Sequence, residues 1–339
     1  MKEARACFIG VDIGGTKVEL ALLSYEKKRP QPSSLIFLDE KNPEFHYVVK
    51  KKIRFPTLRE EGYERFLSCL VQHILQLLKD GDFTLQEMMA LGLGLPGAVD
   101  TDRSMMLNGN TTFLIERPII QDLSILLNID SNHLFVENDA NCFILAEAMW
   151  GLGPMWAKEH QVAIQDQNAI GLILGTGMGG GLFLQGKLYQ ARHGAAGELG
   201  HTSLNPYGER CYCGRRGCAE LYLSGTSISH RYQMKTGQLI SSESLFSLDY
   251  QTDHIFQDIC QETTYFLSLI LANLINTFAP DYIVFGGGLS QQRSLFQGLE
   301  EKVREQIFVK KNMPKLSKNI LGDSSGVFGA AMLGIVNRT

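Results

Sequence analysis

The 339-residue sequence has no surplus of basic charge: 32 Lys and Arg stand against 36 Asp and Glu, a formal net charge of −4. A protein that tracks a nucleic-acid backbone needs a broad positive face, and this composition does not provide one. No apolar run approaches the ~18 residues that a membrane helix requires. The opening "MKEARACFIGVDIGG" has only a short apolar stretch before its glycines, so it does not read as a leader. Cysteine is scarce and odd in number, at seven, which fits a reducing compartment better than a disulfide framework. The expectation is a cytoplasmic protein with neither nucleic acid nor membrane as partner. Low-complexity segments are also missing, and the length allows two domains, each with its own core.

What the sequence does have is glycine in turns. "CFIGVDIGGTKVELALL" and "IGLILGTGMGGGLFLQG" share one pattern: an apolar extended run, a glycine turn, then a second run of β-formers. Each reads as a hairpin, and their echo in the two halves suggests two related domains. "GTGMGG" matches G-x-G-x-x-G, but a dinucleotide fold needs a helix after the glycines and here a strand pattern follows. "GGTK" has the wrong order for a Walker A loop. What remains is backbone N–H groups able to nest an anion, with Thr16 and Thr176 as added donors, or else tight turns that bind nothing. A third run, "FGGGLS" at Phe285–Ser290, follows a strand and suits close approach of a nucleoside.

Between the turns, Tyr63–Lys79 carries Phe66, Leu67, Leu70, Ile74 and Leu78 at helical spacing. "MMALGLGLPGAVD" reads as a buried strand ending in a Pro-Gly turn, and "LFVENDANCFILAEAMWG" as a strand entering a helix at Asn138-Asp139. Ile255–Phe278 is apolar on most faces and reads as a central helix; a further helix is expected over about Ser294–Phe308. "SSGVFGAAMLGIVN" forms a last helix whose small residues permit close packing. Tyr25–Lys52 looks like an insertion or an extended hairpin. The class is α/β, divided into an N-terminal domain 1–137 and a C-terminal domain 138–324, with the helix 325–337 packing back on the first.

"CYCGRRGCAE" places Cys211, Cys213 and Cys218 ten to seventeen residues after His201. Three thiolates and an imidazole meet the four-ligand demand of a structural zinc site, while C-x-x-C redox spacing is missing; free surface thiols are the alternative. Asp139 stands where it can accept the proton of a substrate hydroxyl during phosphoryl transfer, or simply cap a helix. Glu198 and Glu220 flank the cysteine loop; clasped by a metal they become acceptors for sugar hydroxyls, and otherwise they are solvated surface carboxylates.

"GVDIGGTK", "GLGLPGAVD", "ENDANCFILAEA", "LGTGMGGG", "GELGH" with "CYCGRRGCAE", and "PDYIVFGGGLS" together resemble the motifs of the ROK family, which comprises repressors, open reading frames and sugar kinases. The resemblance runs from about Phe8 to Gly334. It implies an actin-like, ribonuclease-H-like ATPase fold with two lobes and a homodimer, acting on ATP with Mg²⁺ and a hexose. By motif match it places Asp12, Gly14, Gly15, Thr16 and Lys17 on a first phosphate turn and Gly175, Thr176 and Gly177 on a second. Gly286, Gly287 and Gly288 fall on the adenosine side. Asp139 falls on the catalytic base; Asn138, Glu198, His201 and Glu220 fall on sugar contacts, with Asn110 as a further candidate. His201, Cys211, Cys213 and Cys218 fall on zinc ligands, His201 using one ring nitrogen for metal and turning the other towards sugar. The family's repressors carry a winged helix ahead of the first turn, whereas here nine residues precede Gly10, so an enzyme is expected: a kinase for the 6-hydroxyl of a hexose, with a catalytically silent sugar sensor as the alternative. "NGNTTFL" and "GDSSGVFGAA" lean towards fructose and mannose kinases; the zinc loop equally resembles kinases of glucose and N-acetylhexosamines.

Overall fold

The computed structural model describes residues 5–27, 35–39, 42, 44–100, 102–109, 111–190, 196–247, 250 and 252–337. Two compact units account for them: Met1–Met155 with Gln190–Ala196 and Ser324–Thr339, and Trp156–Tyr189 with Gly197–Asp323. No helix among the described residues is long and apolar enough to cross a membrane.

The first unit is built on a six-stranded sheet, ordered Ile36–Leu38, His46–Pro56, Lys17–Glu26, Ala6–Ile13, Met88–Leu95, Leu134–Asn138. Ala6–Ile13 turns back antiparallel into Lys17–Glu26, then pairs parallel with Met88–Leu95, which pairs parallel with Leu134–Asn138. The region anticipated as an insertion adds antiparallel strands on one side of the sheet, with Ile36–Leu38 at the edge on His46–Pro56.

Strand periodicity assigns the faces. Ile9, Val11, Leu91 and Leu93 join one core with Phe66, Leu70, Ile74 and Leu77 of helix Tyr63–Asp80, whose apolar residues recur every three or four positions and so share one side. Each such fully buried side chain contributes about 1.5–3 kcal/mol of transfer free energy. The residues between them face the opposite way, where the last helix, Ser325–Val336, and helix Asp139–Met149 pack. There the approach is so close that side chains are excluded: a Cβ on Gly92 would stand 1.9 Å from the carbonyl oxygen of Ala330, and one on Gly329 1.7 Å from that of Cys142.

This packing moves the expected domain boundary. Asp139–Met149 was to open the second domain after residue 137, yet its neighbours are the final helix and the strands before it, so the first unit runs on to Met155.

The second unit has a five-stranded sheet, ordered Lys187–Leu188, Met178–Leu184, Ala169–Leu174, Tyr282–Gly286, Lys315–Lys318. Ala169–Leu174 and Met178–Leu184 form the second glycine hairpin, and a strand does follow "GTGMGG". Helix His254–Phe278 begins at Asp253, whose carboxylate accepts the Phe256 N–H at 3.0 Å. It buries Ile259, Leu267, Ile270 and Leu271 in one core with Ile283 and Phe285. The single helix expected over Ser294–Phe308 is two short ones, Arg293–Phe296 and Leu299–Gln306. Gly298 interrupts them at φ 69°, a left-handed conformation that an α-helix cannot contain.

Candidate active site

In the first unit, three neighbouring parallel strands end side by side. Asp12 is paired with Gly94, and Leu95 with Asn138, so Asp12, Gly94 and Asp139 gather at one carboxyl edge of the sheet. Ligands of open α/β sheets bind at such edges. Gly94 leaves the space between the two acids open: a Cβ there would lie 3.6 Å from Asp12 Oδ1 and 3.8 Å from the Asp139 Cα.

Asp139 opens its helix behind a complete N-cap. Asn138 Oδ1 accepts the N–H groups of Ala140 at 2.9 Å and Asn141 at 3.2 Å, while its Nδ2 donates to Gly97 O at 2.8 Å and Asp139 Oδ1 at 3.1 Å. The Ala140 N–H also donates to Asp139 Oδ1 at 2.8 Å. The Asp139 carboxylate is thus held by an amide whose own orientation is dictated by the helix end. Behind it, the buried Glu137 carboxylate accepts from the Asn138 N–H, Asn141 Nδ2 and Gln190 Nε2 at 2.8, 3.0 and 2.6 Å.

The turn Gly14–Lys17 is closed by the Gly14 N–H donating to Lys17 O at 2.9 Å, and Thr57 Oγ1 donates to Gly14 O at 2.7 Å. Gly15, Thr16 and Lys17 are exposed. Gly326, at the start of the last helix, is excluded from carrying a side chain because its Cβ would sit 2.5 Å from Asp12 Oδ2. Burial by this surround, then the charges of Asp139 and Glu19, push the Asp12 carboxyl up to about 7.

In the second unit the pattern recurs. Gly286 is paired with Ile173, so the turn Gly175–Gly177 and the run Gly287–Gly288 leave adjacent parallel strands at the same edge. The Gly175 N–H donates to Gly177 O at 3.0 Å, Gly175 O accepts the Gly225 N–H at 2.7 Å, and Ser290 Oγ donates to Gly287 O at 2.7 Å. Glu220 reaches this turn directly: its Oε2 accepts the Met178 N–H at 2.9 Å. Solvent reaches Glu198, but the protein around it pushes its carboxyl above the ordinary range; His201 opposes this and Glu220 adds to it.

The ligand atoms of His201, Cys211, Cys213 and Cys218 lie within 4.8 Å of one another. His201 Nδ1 is 3.6 Å from Cys211 Sγ, and Cys213 Sγ is 3.6 Å from Cys218 Sγ. A tetrahedral zinc with bonds of about 2.3 Å separates its sulfur ligands by roughly 3.8 Å, so the spacing and the donor set both fit that ion, and the thiols are too far apart for disulfides. The loop is cross-tied by the Cys211 N–H donating to Arg215 O at 2.8 Å and Ser203 Oγ donating to Arg216 O at 2.6 Å. Burial pushes the Cys218 thiol up to about 12, while a backbone hydrogen bond from Arg215 lowers that of Cys213.

His201 Nε2, the nitrogen expected to face sugar, stands 3.1 Å from Tyr212 Oη. Tyr212 was missed in the sequence, as were Gly94, Gly326 and Gln190; "GDSSGVFGAA" held a signal for Gly326 in its small residues, and the others had none. Asn110 lies outside the described residues.

The ROK family model matches residues 8–336, and the chain belongs to that family. It is similar to an N-acetyl-D-glucosamine kinase of Haemophilus influenzae (strain 86-028NP), 33% identical over 96% of this chain and 98% of the relative. An N-acetyl-D-glucosamine kinase of Pasteurella multocida (strain Pm70) is likewise 33% identical, over 96% and 98% of the two chains. Among solved structures it resembles the ROK hexokinase of Thermus thermophilus, with a TM-score of 0.77 and 26% identity over 98% of this chain and 99% of that one. The fold is accordingly the α/β, actin-like two-domain fold of this family.

A carboxyl held above its unfolded value binds its proton more tightly in the folded protein. The contribution of Asp12 to stability is therefore full below ~4 and is lost as pH rises through about 7. Thermal melts of Asp12→Asn should show a gain over the parent protein that grows from pH 5 to pH 8; a gain that shrinks over this interval contradicts the assignment.

Proposed function

We propose that this sugar kinase transfers the γ-phosphoryl group of ATP to the 6-hydroxyl of an N-acetylhexosamine, with N-acetyl-D-glucosamine as first candidate. Membership of the family and full-length similarity to two kinases of that sugar support the reading. The leaning towards fructose or mannose drawn from "NGNTTFL" and "GDSSGVFGAA" gains no specific support from these relatives. The single structural observation that carries a kinase is the placement of Asp139 beside Asp12 and an exposed glycine turn at one sheet edge.

In this reading Asp139 accepts the proton of the 6-hydroxyl and points its oxygen at the phosphorus, while Asn138 keeps the carboxylate in place. In the first unit the backbone N–H groups of Gly14–Lys17 suit a phosphate of Mg²⁺-bound ATP; in the second, those of Gly175–Gly177 suit a phosphate and Gly286–Gly288 a nucleoside. Asn138 in the first unit, and Glu198, His201 and Glu220 in the second, are the groups suited to sugar hydroxyls. His201, Cys211, Cys213 and Cys218 hold a zinc ion, which when bound supplies rigidity to the loop rather than chemistry. Glu220, two residues past Cys218 and bonded to the Met178 N–H, ties the clasped loop to the second phosphate turn.

An ADP-release assay across N-acetylglucosamine, N-acetylgalactosamine, N-acetylmannosamine, glucose, fructose and mannose should give the highest kcat/KM with an acetamido sugar. A higher value for fructose or glucose overturns the substrate assignment. Asp139→Asn should cost about 10²–10⁴ in kcat with sugar affinity and metal content retained; near-normal turnover rejects Asp139 as the base. Cys213→Ser should lose metal and raise the sugar KM at least about tenfold together. Loss of metal at constant KM would separate the clasp from the sugar site.

A further inference from the structure

The residue inside the Cys-x-Cys pair, Tyr212, is 69% exposed, yet its hydroxyl is not left to solvent. It meets His201 Nε2 at 3.1 Å, with the two rings edge to face at 88° and 5.1 Å between centroids. The imidazole is therefore engaged from both sides by consecutive residues: Nδ1 faces Cys211 Sγ at 3.6 Å, and Nε2 faces Tyr212. The charges of Glu220 and Glu198 also act on this hydroxyl, so two of the carboxylates proposed above for sugar are felt there.

The chemistry of the imidazole decides the direction of the contact. With Nδ1 as the metal-facing nitrogen, a neutral ring carries its proton on Nε2, which donates to the Tyr212 oxygen. A sugar hydroxyl that accepts from Nε2–H needs the same hydrogen. We propose that Tyr212 tunes sugar affinity: its hydroxyl competes with the sugar for His201 Nε2–H, so a sugar that accepts this hydrogen must displace the tyrosine. This rests on His201 being a sugar contact. The tyrosine is free to yield because most of its surface is in solvent. Water takes over as competitor when the hydroxyl is removed, so the gain in affinity is limited to the net worth of one protein hydrogen bond, about two- to tenfold.

The test uses the metal-loaded full chain, with sugar Kd measured by calorimetry in the absence of ATP and KM values for sugar and ATP measured alongside. N-acetylglucosamine is the probe, and metal content is determined for each protein. Tyr212→Phe keeps the ring and removes the hydroxyl; it should lower the sugar Kd and KM about two- to tenfold and leave the KM for ATP unchanged. Tyr212→Leu lacks the same hydroxyl and must move the sugar Kd in the same direction. An unchanged or raised sugar Kd in both variants, with metal retained, overturns the competition. Failure of the parent protein to bind or phosphorylate any sugar instead overturns the functional reading on which it rests.

Discussion

The close seating of the helix Ser325–Val336 on the first sheet is the constraint on which the acidic edge of the first unit depends. Gly92 and Gly329 let backbone meet backbone there, and Gly326 lets the start of the helix meet the Asp12 carboxylate. That one contact surface fixes the rear of the helix Asp139–Met149 and the surround of Asp12 together. Dense packing of this kind transmits small displacements instead of absorbing them, so the geometry of two acids is decided by residues of neither chemistry nor charge.

The second unit reaches rigidity by a different route. Its glycine turn is held by hydrogen bonds from Gly225 and to Glu220, and Glu220 follows the cysteine loop by two residues. The cysteine cluster and the glycine turn are therefore successive parts of one connected network. Glu220 was singled out in the sequence as a sugar contact; the structure adds that one of its oxygens is already committed to Met178, which makes it a link between the loop and the turn.

Local pattern made much of this legible. The helices Tyr63–Asp80 and His254–Phe278, both glycine hairpins and the strand-to-helix junction at Asn138-Asp139 are all visible as periodicity, turn residues and a cap. The four zinc-ligand candidates do converge, since three of them lie within eight residues and a short loop must bring them together. Tertiary contact is what periodicity could not supply. The helix Asp139–Met149 was given to the wrong domain because its amphipathicity is weak and its partners lie almost two hundred residues away. Gly298 divides a helix whose composition otherwise favours continuity, and Tyr212 gains its meaning only when the cysteine loop folds its ring over His201.

The order of the chain gives the first unit an unusual history. Its sheet is complete by Asn138, but the helix that covers one face begins at Ser325, after every element of the second unit has been made. During synthesis the apolar and glycine-lined face therefore waits, covered only in part by the helix Asp139–Met149, for well over a hundred residues. Contacts of such long sequence separation close slowly. On the ribosome the second unit can finish first, and the surround of Asp12 is completed only when the helix Ser325–Val336 arrives.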